Sequence, residues 1–92
     1  MRITLNFRGQ IVSALGMPSD QVDVETGASI NSILQDLALC GGVAFTDIAF
    51  DSHGKPNRTL LVAVDGEQAT DFEMAIAPQT KEITFIPPIA GG

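Results

Sequence analysis

Hydrophobic and polar residues alternate at both ends of the chain. The first seven residues place Ile, Leu and Phe at positions 3, 5 and 7 between polar neighbours, which predicts a strand with its odd positions buried. Val22 and Val24 alternate in the same way and predict a second strand. The intervening segment from Gly9 to Asp20 contains Gly, Pro and Ser, so we expect a loop joining two antiparallel strands.

The spacing of apolar residues changes to a helical period after the second strand. Ser29 has a hydroxyl that suits the N-cap of a helix, and the pair Gly41-Gly42 suits a left-handed stop. Between them, four apolar residues recur at i, i+3, i+4 and i+7, which predicts one helix lying across a face of the sheet. They are Ile30, Ile33, Leu34 and Leu37.

The second half of the chain contains two further strand patterns. We expect residues 43–58 to be irregular, whereas the apolar run 60–64 predicts a strand within the sheet. Asp65-Gly66 is typical of a tight turn, and residues 71–78 suggest an irregular or short helical segment. Residues 81–86 predict the last strand, with alternate residues inward.

This order of elements predicts an α+β fold of the β-grasp type. We expect a mixed sheet of about four to five strands with one main helix packed across it. The first and last long strands would lie side by side in parallel at the sheet centre. All of residues 1–92 would form a single domain, since no internal repeat or linker divides them.

Composition narrows the possible functions. The 92 residues carry a formal net charge of −6, which argues against nucleic acid because phosphates select basic surfaces. No apolar run approaches the ~20 residues needed to span a bilayer, so we expect no membrane partner. The first residues are not typical of a signal peptide, and the cytoplasm is therefore the expected compartment.

Few side chains suggest catalysis or metal binding. A lone Cys40 excludes an internal disulfide and a four-cysteine cluster, and we expect it to be buried as a packing residue. His53 lies in a predicted loop and is expected to be solvated, since a metal site needs three or four ligands. Lys55 and Arg58 are expected to be solvated, with contact to an acidic partner surface as the alternative.

The most informative segment is the last six residues, 87–92, which we call the tail. Pro87-Pro88 lacks two backbone N–H donors and would end the sheet. Gly91-Gly92 lacks side chains and can pass through a slot too narrow for a Cβ atom. We therefore expect a small body that presents the Gly92 carboxylate.

The chain resembles the ubiquitin-like sulfur carriers, which include the small subunit of molybdopterin synthase and the thiamine sulfur carrier. The resemblance covers essentially the whole chain and rests on residues 25–30, 61–67 and, most specifically, 85–92. The ending Pro-Pro-Ile-Ala-Gly-Gly is closer to the molybdopterin branch. The long connection 41–58, with Gly54-Lys55 and Arg58, is similar to carriers that deliver sulfur for cysteine synthesis.

The resemblance implies a protein cosubstrate rather than an enzyme. A partner of the ubiquitin-activating type would use ATP and Mg²⁺ to adenylate Gly92, and a sulfur donor would convert it to a thiocarboxylate. The chain itself would bind no cofactor and no metal. The sulfur acceptor would be a synthase such as the large subunit of molybdopterin synthase, with cysteine and thiamine-thiazole synthesis as alternatives.

The same resemblance assigns roles to the residues around Gly92. Gly91, Ala90 and Ile89 would occupy the channel of a partner enzyme. A separate group would dock against the partner surface, namely Ile86, Pro87 and Pro88. Two other functions remain open, which are a ubiquitin-like protein modifier and a non-catalytic β-grasp interaction module whose glycines are inert.

Overall fold

The computed structural model describes residues 1–88. Their elements follow one another in the order strand, helix, strand, helix and then three strands. These elements are β1 (Arg2–Phe7), α1 (Gln10–Leu15), β2 (Ser19–Asp23), α2 (Ile30–Ala49), β3 (Leu61–Val64), β4 (Glu67–Gln68) and β5 (Glu82–Ile86).

The five strands form one mixed sheet in the order β2-β1-β5-β3-β4. β1 and β5 are parallel neighbours, with Leu5 opposite Ile83 and Phe7 opposite Phe85. The other neighbours are antiparallel. The α+β architecture, the number of strands and the central parallel pair predicted from the sequence are therefore confirmed.

The core lies between one face of this sheet and α2. Alternation buries every second residue of β1 and β5, and the rings of Phe7 and Phe85 stack with centroids 6.0 Å apart. The helix contributes the apolar stripe expected from its spacing, and each of its four residues is buried: Ile30, Ile33, Leu34 and Leu37. Burying this stripe is what fixes the helix across the sheet.

Helix α2 begins as expected but does not end where the glycine pair predicts. Ser29 Oγ accepts a hydrogen bond from the Ser32 backbone N–H at 3.1 Å, and Ser32 Oγ accepts one from Ser29 N–H at 3.0 Å. Gly42 has φ 60° and ψ −147°, which is non-helical. The chain kinks there and then continues as helix to Ala49, so the prediction of an irregular segment directly after Gly42 is wrong.

The reason for the continuation is the packing of Phe45. Its side chain is fully buried and stands over Gly41, where an added Cβ would lie 2.5 Å from Phe45 Cβ. The same added atom would lie 2.9 Å from Leu15 Cδ2. Gly41 is thus the point where α1 and both parts of α2 approach closely.

The connection between β1 and β2 also differs from the prediction. Residues 10–15 form α1 rather than loop, with Ile11 buried and Gly16 in the left-handed conformation at its C-cap. The antiparallel pairing of β1 with β2 is confirmed. A six-residue helix is too short to show a clear period in the sequence, and burial of Ile11 stabilises it instead.

By length and composition alone, α2 is apolar enough to cross a membrane. The helix predicted from the sequence was too short for this, because it ended at Gly41-Gly42. In the structure the kink at Gly42 divides the helix, and its buried residues lie against the sheet and α1. Burial in the domain core explains part of the hydrophobicity of α2, whereas its residues Leu39 and Val43 are 85% and 75% exposed.

Candidate functional site

The candidate site lies where central strand β5 ends and the tail begins. Leu61 on β3 pairs with Ile86 on β5. Their side chains are 43% and 37% exposed. We use the name apolar patch for Leu61 and Ile86 with the half-buried Pro87 and Pro88, which follow Ile86 in the chain.

Strand alternation explains why these two large apolar side chains face outward. Val62 and Phe85 are a buried pair on the helix side of the sheet. Their neighbours Leu61 and Ile86 must therefore point to the opposite face. The sequence did not identify Leu61, because residues 60–64 form a continuous apolar run that does not show which of them face outward.

Pro87, the first residue of the tail, lies close to Gly9. Gly9 has φ 53° and ψ −131°, and a Cβ atom there would lie 3.0 Å from Pro87 Cγ. The backbone N–H of Arg8 donates to the Phe85 carbonyl at 3.2 Å. These contacts fix the direction in which the chain leaves β5.

The residues expected to carry the chemistry lie beyond this point. Ile89, Ala90, Gly91 and Gly92 fall outside the described residues, so their expected roles stay predictions. Ile86 is exposed, and Pro87 and Pro88 are partly so, which leaves the expected docking surface accessible.

The loop after α2 places Arg58, but not Lys55, in a groove that Leu61 also lines. The groove has a volume of 370 Å³. Asp51 shapes the loop because its Oδ1 accepts hydrogen bonds from the backbone N–H groups of Lys55 at 3.1 Å and His53 at 2.8 Å. These bonds hold the pKa of the Asp51 carboxyl below its usual value of 3.8.

The two remaining candidate residues, His53 and Cys40, are not part of the apolar patch. His53 is exposed in the loop, as expected. Cys40 is exposed, so its expected burial is wrong. The buried residues of α2 pass from Leu37 to Phe45, and Cys40 lies off this stripe. Within residues 1–88, no three His, Cys, Asp or Glu side chains group in a way that could hold a metal ion.

No protein-family model matches the sequence, and no curated protein matches it. Solved structures do match along nearly the whole chain. SAMP1 from Haloferax volcanii is 23% identical, with a TM-score of 0.83 and complete coverage of both chains.

Two further matches carry different names. A putative molybdopterin converting factor, subunit 1, from Pyrococcus furiosus is 11% identical, with a TM-score of 0.73 over 97% of this chain and 99% of that one. CysO from Mycobacterium tuberculosis is 20% identical, with a TM-score of 0.68 over 95% of this chain and 99% of that one. The expected resemblance to the ubiquitin-like sulfur carriers is thus confirmed at the level of fold, and the chain has the β-grasp fold of these small ubiquitin-like proteins.

Proposed function

We propose that this chain is a sulfur carrier in which Gly92 provides the reactive carboxylate. The observation that carries the proposal is the placement of the apolar patch. The central strand β5 ends at Ile86 beside exposed Leu61, and Gly91 and Gly92 follow five and six residues later. A partner that binds the patch would therefore have the two glycines within reach of its own active site.

The proposed chemistry has two steps. A Gly92 carboxylate oxygen attacks the α-phosphorus of ATP in a partner enzyme of the ubiquitin-activating type, and Mg-bound pyrophosphate leaves. Hydrosulfide, as the simplest sulfur donor, then attacks the acyl carbon and displaces AMP to give a thiocarboxylate. Activation is needed because a carboxylate anion repels nucleophiles and lacks a good leaving group. In this scheme the chain is a cosubstrate, and its partners supply the catalytic groups.

The body of the domain would contribute affinity. Apolar side chains at the centre of an interface commonly provide most of the binding energy. Leu61 and Ile86 fit that role because they are adjacent, exposed and held by a rigid sheet. The polar row beside them, in which Asn6 Nδ2 donates to Thr84 Oγ1 at 3.4 Å and to Glu82 Oε2 at 3.2 Å, would form the rim of the interface.

The acceptor we propose is molybdopterin synthesis, through the large subunit of molybdopterin synthase. The ending Pro-Pro-Ile-Ala-Gly-Gly and the fold shared with the Pyrococcus furiosus protein support this choice. Delivery to cysteine synthesis is the alternative acceptor. It is favoured by Gly54-Lys55 with Arg58 and by the fold shared with CysO.

A second function uses the same activated carboxylate. The fold shared with small archaeal modifier protein 1 from Haloferax volcanii supports transfer of Gly92 to lysine side chains of other proteins. Peptides from digested cell lysate that carry this tail in isopeptide linkage to lysine would favour the modifier. Their absence, together with a thiocarboxylate on Gly92, would favour the carrier.

ATP–pyrophosphate exchange tests the activation step. The full chain is incubated with Mg²⁺, ATP and the ubiquitin-activating-type enzyme of the same organism. We expect exchange with the full chain and none when Gly92 is deleted. Exchange that persists without Gly92, or none with the full chain, would reject the proposed activation.

Substitutions in the apolar patch test its part in docking. Leu61→Asp and Ile86→Asp should each raise the apparent KM of the activating enzyme for the carrier about tenfold, the effect of losing one well-packed apolar contact. Met74→Asp is the matched control, since Met74 is 65% exposed and lies outside the sheet. Equal KM values for all three variants would show that the patch is not the docking surface.

A further inference from the structure

A groove between strand β2 and helix α2 is a second candidate binding site. It has a volume of 640 Å³ and an apolar floor. Val22 is only half-buried there, so the domain itself leaves part of this apolar surface uncovered. The floor is formed from both elements and from β1 by Leu5, Val22, Val24, Ile33 and Leu37.

The strand beside the groove has a free backbone edge. β2 is the outermost strand, and within residues 1–88 it pairs only with β1. Val24 donates to the Met1 carbonyl at 2.7 Å and accepts from the Met1 amine at 2.8 Å. Because antiparallel strands alternate the direction of their hydrogen-bonding groups, Ser19, Gln21 and Asp23 direct their N–H and C=O groups away from β1.

The charge on the groove restricts what can occupy it. Four acidic residues line it, namely Asp20, Asp23, Glu25 and Asp36. Arg2 lies 3.7 Å from Asp23, but none of the Lys or Arg residues in the described part of the chain lines the groove. A second copy of this chain would bring the same acidic edge and a net charge of −6, so its approach would be opposed by repulsion. The complementary occupant is a positively charged segment.

We propose that this groove binds an extended peptide in which apolar residues alternate with polar ones and Lys or Arg flank them. The peptide would add to the free edge of β2 as a sixth strand, which is a common mode of peptide recognition. β2 has five residues and therefore spans about 16 Å. A peptide of that length directs two or three side chains onto the apolar floor while its basic ends meet the acidic walls.

This site is separate from the apolar patch and does not depend on the proposed sulfur chemistry. β1 lies between β2 and β5 in the sheet. The groove is on the helix side, whereas Leu61 and Ile86 face the opposite side. A basic peptide and a partner of the tail would therefore occupy different surfaces.

The test is a titration of isotope-labelled protein with acetyl-Lys-Arg-Val-Thr-Ile-Thr-Val-Lys-amide, followed by two-dimensional NMR. We expect the amide signals of Ser19, Gln21 and Asp23 to shift and their hydrogen exchange to slow. The same peptide with both Thr replaced by Pro should not bind, because Pro cannot pair along a strand. Deleting Gly92 should leave the affinity for the peptide unchanged.

Charge reversal provides the matched comparison. The double variant Asp20→Lys with Asp36→Lys should bind the peptide roughly tenfold more weakly, since two exposed attractions become repulsions. The control Asp47→Lys with Glu67→Lys changes the net charge equally at exposed positions that do not line the groove. It should bind with an affinity close to that of the parent.

Three results would overturn the proposal. The first is a set of shifts confined to residues outside the groove. The second is that the Pro-containing peptide binds as tightly as the original peptide, or that the two charge-reversed double variants bind the peptide with equal affinity. Either result would indicate non-specific attraction to an acidic protein. The third is a dimer formed through β2 without peptide, detected by sedimentation, which would identify a second copy as the occupant.

Discussion

The substitution Gly9→Ala should strongly destabilise the fold and displace Pro87, the first residue of the tail. Gly9 adopts φ 53° and ψ −131°, a combination that residues with a Cβ atom rarely adopt. The new methyl group would also lie 3.0 Å from Pro87 Cγ and 3.6 Å from Pro87 Cδ. Backbone strain and crowding therefore act at the same position.

The two effects are of similar size. A side chain held in such a backbone conformation costs about 1–3 kcal/mol, and crowding of a packed contact adds roughly 1 kcal/mol. We therefore expect the free energy of unfolding to fall by about 2–4 kcal/mol, out of the 5–15 kcal/mol typical of small domains. For a domain of this size that lowers Tm by roughly 10–25 °C.

Thermal unfolding followed by circular dichroism measures this loss, and Gly16→Ala is the matched control. Gly16 also has a positive φ, of 76°, but no atom lies within 4 Å of an added Cβ. Its substitution should cost only about 1–2 kcal/mol, the strain of a left-handed residue. In a double-mutant cycle, Pro87→Ala should recover the part of the Gly9→Ala loss that comes from crowding.

Equal destabilisation by Gly9→Ala and Gly16→Ala would show that Pro87 does not crowd a side chain at position 9. So would a cycle in which Pro87→Ala recovers nothing, because Gly9 would then have no role in positioning the tail.

Three other residues give further predictions. Gly41→Ala should lower the free energy of unfolding, measured by urea denaturation, by about 2–3 kcal/mol. The added Cβ would lie 2.5 Å from Phe45 Cβ. An unchanged free energy would contradict the close packing of Phe45 over Gly41. Asp65→Ala should lower the free energy of unfolding by about 1–2 kcal/mol, and Asp65→Asn by less. Asp65 has φ 49°, and its Oδ1 accepts hydrogen bonds from the backbone N–H groups of Lys81 and Glu82. Equal losses for the two variants would contradict this role. The lowered pKa of Asp51 means that its carboxylate stabilises the loop fully above pH 3.8 and less as the pH falls through the folded-state pKa. The NMR shift of the Lys55 amide should therefore titrate with a midpoint below pH 3.8, a transition that Asp51→Ala should remove and that a higher midpoint would contradict.

The regular strands and the main helix were predictable because their apolar spacing matches their burial. β1 and β5 each bury every second residue, and the first part of α2 buries the stripe read from the sequence. Local spacing was enough for these elements because each of them buries one face.

The parts that were not predicted depend on contacts between elements. Helix α1 is stabilised by burial of Ile11, which its six residues do not reveal. The helical segment after Gly42 exists because Phe45 packs over Gly41. A pair of glycines in the sequence does not predict that contact. Leu61 is exposed because the neighbouring Val62 faces the core, and a run of apolar residues does not specify that register.

The site was predicted only in part for the same reason. Sequence identified Ile86 and the two prolines, which are accessible in the structure. It did not identify Leu61 as a member of the apolar patch or Gly9 as the contact of Pro87. The groove between β2 and α2 was also missed, since it depends on how a strand edge and a helix lie beside each other.

Intact-protein mass spectrometry would show whether Gly92 carries sulfur. The chain is incubated with ATP, Mg²⁺, sulfide and the ubiquitin-activating-type enzyme of its own organism, and fragmentation then locates any change in mass. We expect replacement of one oxygen by sulfur at the Gly92 carboxylate. An unchanged mass, a modification elsewhere in the chain, or the same modification after addition of a residue beyond Gly92 would contradict it.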